Sequence, residues 1–246
     1  MKFLHFIPHV NRADLTLKAI KSVSDFWDKT ILIDNSDKSD LNEQLESLGF
    51  NNEDIQTIVP SVPLTTAQTY NFMHKIAKQD HCDYMTFMHN DCQVLSSNGC
   101  NILSRLAESY FKTHDVGMIR YGSTDKETSD LFCAYKIEML DDIGGWDWLF
   151  FPFYVLDIDF ERRLLSKGWK IIPNNQLVCV HHNDSSTTIK NDHKRQIANA
   201  VFFNSYQQLW QLKWHPEVMN NLSKVIVENI DTGFALKIKN SQYTED

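Results

Sequence analysis

Apolar residues fall in short runs along this chain, and most runs end on a cluster of polar residues. Residues 3–7 form such a run and stop at Pro8, the pattern of a buried strand. Asn11-Arg12-Ala13-Asp14 supplies turn and cap residues. Leu17, Ile20, Val23 and Phe26 then recur at helical spacing and predict an amphipathic helix over residues 14–26. Residues 30–33 are β-branched and apolar and end at Asp34-Asn35-Ser36-Asp37. These elements form a βαβ unit, which implies parallel strands and a right-handed crossover.

The alternation continues. Residues 41–48 and 66–78 read as helices, and residues 55–59 and 84–88 as strands, the last ending at His89-Asn90-Asp91. Further on, residues 103–111 predict a helix, and 116–119 and 131–135 predict strands. Gly144-Gly145 opens an aromatic-rich segment. Residues 157–166 predict a helix stopped by Gly168. Residues 171–172 and 177–180 predict short strands, the second leading into His181-His182. Helical spacing returns over 191–212, and in the polar stretch after Pro216 only 222–238 has the character to pack. Strands alternating with helices predict a doubly wound α/β sheet. With no repeat, low-complexity run or linker, one α/β domain over residues 1–188 is expected, with residues 189–246 as a helical extension packed on it.

Composition narrows the class. A chain of 246 residues, 42% hydrophobic and 12% aromatic, can bury one large core, so disorder is excluded as its main state. The net charge of −8 disfavours nucleic acid or anionic lipid as a partner over the whole surface. The five cysteines (Cys82, Cys92, Cys100, Cys133 and Cys179) are odd in number and contain no C-x-x-C pair. They read as free thiols in a reducing compartment. The first apolar run is too short for a signal peptide, and no window approaches the roughly 18 apolar residues of a membrane span. A soluble, cytoplasmic protein is expected.

In an open α/β sheet, ligands bind beyond the carboxyl ends of the strands. Pro8 to Arg12, Asp34 to Asp37 and His89 to Asp91 all lie at such ends. Asp91 is a hard oxygen donor suited to Mn2+ or Mg2+, or else a turn-capping carboxylate. Asp157 and Asp159 open a helix, where one can cap or complement the dipole while the other serves as a base. His181 and His182 suit a metal as neutral imidazoles, or sit satisfied at the surface. Asp34 can accept from a nucleobase N–H or close an Asx turn, and Arg12 can meet a phosphate or solvent.

Taken in order, these residues resemble family 2 glycosyltransferases of the GT-A fold. Phe6-Ile7-Pro8-His9-Val10-Asn11-Arg12 and Ile31-Leu32-Ile33-Asp34-Asn35-Ser36 resemble that family's opening. Asn71 resembles the Asn of the helix before its metal motif. Phe87-Met88-His89-Asn90-Asp91 resembles its D-x-D region in the variant form H-N-D. Gly144-Gly145-Trp146-Asp147, Asp157-Ile158-Asp159-Phe160 with Arg163, and Gly168-Trp169-Lys170-Ile171 resemble its G-G-F-D … E-D-x-D-L-x-x-R … G-[YW]-K-I block. Val178-Cys179-Val180-His181 resembles the strand-to-His element that follows. The resemblance covers residues 3–188.

It implies a mixed, mostly parallel Rossmann-like sheet and a nucleoside-diphosphate sugar, preferably a UDP-sugar, lying across the strand ends. Pro8, Arg12, Asp34, Asn71, His89, Asn90 and Asp91 would contact this donor. Asp91 and His181 would hold Mn2+ or Mg2+. Asp157 would be the base that deprotonates an acceptor hydroxyl for inverting attack, with Trp146, Asp147 and Asp159 on the acceptor side. Two positions depart from the pattern: His89 stands for the first Asp of D-x-D, and Leu156 for the Glu before the base. The departures leave open a degenerate sugar-nucleotide-binding module. A nucleotidyltransferase fits less well, because Pro8 to Arg12 holds no glycine to cradle a triphosphate. A glycan, a lipid-linked sugar or another hydroxyl compound is the expected acceptor. The aromatic residues 146–154, Phe151, Phe153 and Tyr154 among them, offer a sugar-stacking wall or core packing, and residues 121–128 a cover for the donor.

Overall fold

The first strand, β1 (Phe3–His9), runs two residues beyond the expected end at Ile7, through Pro8. In this computed structural model the described residues are 1–215 without 37, 39, 51–52, 54, 63, 114, 122–130, 151–154, 175–178 and 182–192. For residues 181, 193–200 and 202–203 only the backbone is described. Beyond Phe6 only β2 (Thr30–Asp34) still pairs with β1, so Pro8 lies where one flank of the strand is open, as a residue without an N–H requires. Side chains alternate along β1. Phe3, Ile7 and their neighbours join one core cluster, and Phe6 joins the other.

The elements after β1 are α1 (Ala13–Ser22), a 3₁₀ turn (Ser24–Lys29), β2, α2 (Leu41–Ser47), β3 (Gln56–Ile58), α3 (Thr66–Gln79), β4 (Tyr84–Met88) and β5 (Cys92–Val94). Then come α4 (Gly99–Tyr110), β6 (Val116–Tyr121), β7 (Phe132–Lys136), α5 (Ile137–Ile143) and α6 (Leu156–Ser166). The described elements end with β8 (Lys170–Asn174), β9 (Cys179–His181) and α7 (His193–Lys213). The predicted helix 14–26 is thus split, with α1 ending at Ser22 and the 3₁₀ turn following. Neither β5 nor α5 was expected.

Seven strands form the main sheet in the order β3-β2-β1-β4-β7-β6-β8, and β7 alone runs against its neighbours. A separate two-stranded ladder joins β5 to β9 antiparallel. The mixed, mostly parallel α/β sheet flanked by helices is therefore the architecture expected. One apolar cluster takes in residues of α1, α2 and α4, and the other residues of α3, α5 and α6. All five cysteines are free thiols. Among the described residues no helix is long and apolar enough to cross a membrane. The predicted strand residues 177–178 and the stretch 222–238 lie outside the described residues.

Candidate functional site

The sheet opens where its strands separate. The β1–β4 pairing ends at Phe6 and Phe87, while β1–β2 continues to His9 and Asp34. A cavity of about 350 Å³ lies there. Pro8 of β1 and Val10 just after it line it, with Asn35 after β2, Leu64, Thr65, Thr66, Thr69 and Tyr70 around the start of α3, and His89 and Asn90 after β4. It sits on the α3 side of the sheet because Pro8 shares the face of Phe6.

Of the expected donor residues, Pro8, His89 and Asn90 line this cavity. Asp34 is buried below it. One carboxylate oxygen accepts from the Ser36 N–H at 3.1 Å, closing an Asx turn, and the other lies 3.4 Å from the N–H of Leu41 at the start of α2. Arg12 makes a two-pronged ion pair with Asp14, both contacts at 2.9 Å, and this pairing holds the Asp14 carboxyl below its ordinary range. Asn71 is turned to the chain: its amide donates to the Trp146 carbonyl at 2.8 Å and accepts from the Trp146 N–H at 2.9 Å. A Cβ at Gly145 would come within 2.2 Å of the Asn71 carbonyl oxygen, and Gly145 has φ +76°, so this position requires glycine.

Two contacts that shape the site carry no motif. Asn35 grips the backbone of Leu64, donating to its carbonyl and accepting from its N–H at 2.6 Å, which fixes the approach to α3. His9 shares a 2.7 Å hydrogen bond with the Thr16 hydroxyl, to which Asn90 also donates at 3.2 Å. Strand end, α1 and the β4 turn are thereby tied together. Burial holds His9 below the usual imidazole range, against the opposing pull of Asp34. Alternation along β1 is the one sequence signal for this contact, since it turns His9 toward α1 and Pro8 toward α3.

Asp91 is buried and immediately precedes β5. The antiparallel register sets Cys92 opposite His181, so the backbone brings Asp91 to the end of the strand that carries His181. The His181 side chain, and all of His182, lie outside the described residues. Among the described residues no group of three or more His, Cys, Asp or Glu is arranged to hold a metal.

Asp157 lies half-buried in the first turn of α6, two residues after Val155. Val155 has φ +63°, a left-handed conformation that is strained for a β-branched residue and needs tertiary support. Leu156 is buried. The three residues expected on the acceptor side are likewise buried. Trp146 stacks on Phe160 at 4.4 Å and meets Tyr70 and Tyr135 edge-on, which makes it a core residue linking the cavity wall to α6. Asp159 accepts from Arg163 at 2.8 Å and from the Trp214 indole at 2.8 Å, and Lys213 bridges it to Asp147. Burial raises the Asp159 carboxyl, but Arg163 and Lys213 outweigh it and hold the group below its ordinary range. No solvent-facing wall is built from Trp146, Asp147 or Asp159, because a large ring at a sheet–helix junction and two paired charges are all enclosed. Phe151, Phe153, Tyr154 and residues 122–128 lie outside the described residues.

No protein-family profile and no characterised protein matches the chain in sequence. Solved structures do match in three dimensions. PcManGT, a mannosyltransferase from Pyrobaculum calidifontis in complex with GDP-Man and Mn2+, superimposes with a TM-score of 0.57 at 14% identity over 72% of this chain and 56% of its own. GalNAc-T7 with UDP, GalNAc and Mn2+ gives 0.59 at 12%, over 74% of this chain and 44% of its own. S. aureus TarS 1-349 in complex with UDP-GlcNAc gives 0.53 at 14%, over 72% and 56%. The chain thus spans about half the length of these proteins. With its seven-stranded, mostly parallel sheet and flanking helices, it has the fold of GT-A glycosyltransferases.

Proposed function

We propose that this chain is a glycosyltransferase that moves a sugar from a nucleoside-diphosphate sugar, preferably a UDP-sugar, to a hydroxyl on a glycan, a lipid-linked sugar or another acceptor, with inversion. The observation that carries the reading is the buried Asp91 just before β5, in register beside the His181 strand and next in sequence to the Asn90 that lines the cavity of a GT-A frame.

A carboxylate is a hard oxygen donor, and the backbone brings Asp91 beside the end of the strand that carries His181, which fits a divalent cation. Asp91 and His181 are the residues that would hold Mn2+ or Mg2+. The chemistry such a cation would supply there is neutralisation of charge on the departing diphosphate. The Thr65, Thr66 and Thr69 hydroxyls and the Asn90 amide offer hydrogen bonds to the donor. Asp34 and Asn71 support it from below by fixing the loops they hold, and Arg12 remains on Asp14. Asp157 accepts the proton of the acceptor hydroxyl. Its half-exposed place in the first turn of α6 leaves it reachable. Residues 1–188 carry this chemistry, and α7 packs upon them through Tyr206, Leu209 and Trp210.

The test is a thermal-shift and turnover panel of UDP-, GDP- and dTDP-sugars with Mn2+ or Mg2+. One donor is expected to raise Tm in a metal-dependent way and to release nucleoside diphosphate. Asp91→Ala should abolish the stabilisation. Asp157→Asn should keep it and lower turnover by roughly 10²–10⁴, the usual worth of a general base. No stabilisation by any donor, with or without metal, overturns the reading. A degenerate binding module is favoured by Leu156, enclosed where the resembling family has a Glu. Stabilisation with no turnover, unchanged in Asp157→Asn, would select it.

A further inference from the structure

The last described residues of the chain reach back into the segment that carries Asp157. Lys213, at the end of α7, and Trp214 just after it lie outside residues 3–188, to which the glycosyltransferase resemblance is confined. Both are buried. The Lys213 ammonium lies 2.9 Å from an Asp147 oxygen and 3.0 Å from an Asp159 oxygen. The Trp214 indole N–H donates to Asp159 at 2.8 Å. Arg163 completes the group, with one nitrogen on Asp159 and another on the Ile143 carbonyl, each at 2.8 Å. The second Asp147 oxygen accepts from the Leu149 N–H at 2.9 Å. Two acids and two bases are thus enclosed together and balance in charge. Over the outer side of this group, the Arg162 guanidinium lies 4.6 Å from the Trp214 ring and 5.0 Å from that of Trp210.

We propose that Lys213 and Trp214 are positioning residues for Asp157, which makes the tail part of the catalytic half of the molecule. The inference rests on the glycosyltransferase reading above. Asp159 lies two residues after Asp157 in the first turn of α6, and both of its oxygens are filled by partners from α6, α7 and Trp214. Just before Asp157, the left-handed Val155 holds a conformation that surrounding contacts must enforce. Lys213 supplies such a contact, because it joins the two segments flanking residues 148–158 through Asp147 on one side and Asp159 on the other. A base displaced by about 1 Å loses roughly 100-fold in rate. Among the described residues this group contributes none of the cavity lining, so donor affinity should depend little on it.

The experiment compares Lys213→Met, Lys213→Arg, Trp214→Phe and the pair Asp147→Leu/Lys213→Met in the full chain, with the donor found in the panel and water as acceptor. Lys213→Met should lower kcat about 100-fold while the donor KM and the donor-induced thermal shift stay within about twofold. Lys213→Arg should recover at least part of that loss, and Trp214→Phe should lower kcat about tenfold. The pair variant removes both charges, so it keeps a folded core should Lys213→Met fail to fold. It should regain Tm and remain slow. A pair variant with kcat within about threefold of wild type, or a Lys213→Met whose donor KM worsens in step with kcat, overturns the inference and leaves a purely structural group. An active wild type indifferent to Lys213 overturns this inference alone. A wild type that neither binds nor turns over any donor overturns the glycosyltransferase reading first, and this inference with it.

Discussion

At the scale of single residues, the contacts that shape the site are mostly made to backbone. Asn71 closes both hydrogen bonds on Trp146, and Gly145 leaves the space for it. Asn71→Leu should therefore cost about 1–3 kcal/mol in a urea melt, because the part-buried peptide groups of Trp146 lose their partner. Gly145→Ala should cost a similar amount, through its positive φ and the collision with the Asn71 amide. Donor affinity should change little in either variant if Asn71 acts through the chain; loss of donor binding at unchanged stability would return Asn71 to direct contact. The chemical types at Asp34, Asn71 and Asp91 were legible in the sequence, since each follows a strand or lies on a helix in a familiar order. Which group each one holds was not, because a clasp such as Asn71 on Trp146 joins residues 75 apart.

At the scale of elements, runs that are enclosed on both faces announced themselves. β1, β2 and β4 are nearly continuous apolar segments, as parallel strands between helices must be. β5 has only three residues and no period to read. α5 follows β7 without a break, so their apolar residues merged into one run. The start of α3 matters most for the cavity. Thr65 caps it, accepting from the Gln68 N–H, while the Gln68 side chain accepts from the Thr65 N–H. Thr65→Ala should cost about 1 kcal/mol, or roughly 2–4 °C in Tm for a domain of this size. Scanning calorimetry checks it, and a shift under about half a degree would mean that Asn35 alone holds this end of the helix.

At the scale of the whole molecule, the buried histidines set the response to acid. His5 lies between Phe26 and Phe132, bonded to the Thr86 hydroxyl at 2.9 Å, and burial pushes its pKa down to about 3. Unfolding returns it to the ordinary value near 6.5. Between these values the unfolded chain holds a proton that the folded chain does not, so stability falls as pH drops from about 6.5 toward 3. The slope from this one group approaches about 1.4 kcal/mol per pH unit. His9, also held low by burial, acts in the same direction. His5→Gln keeps a hydrogen-bonding group without a titrating ring and should flatten the fall in Tm between pH 6 and 4. An unchanged slope would assign the acid sensitivity elsewhere.

Lys213 meets Asp159 across 54 positions of chain. On the ribosome, every strand of the main sheet is complete before Lys213 is made. From the end of β8 at Asn174 to Lys213, at the usual synthesis rates of about 5–20 residues per second, that interval lasts roughly 2–8 s. During it the emerging chain can assemble the donor half while Asp147 and Asp159 still await their lysine. On the glycosyltransferase reading, the order of translation would put the cavity in place before the group that the tail closes around Asp159.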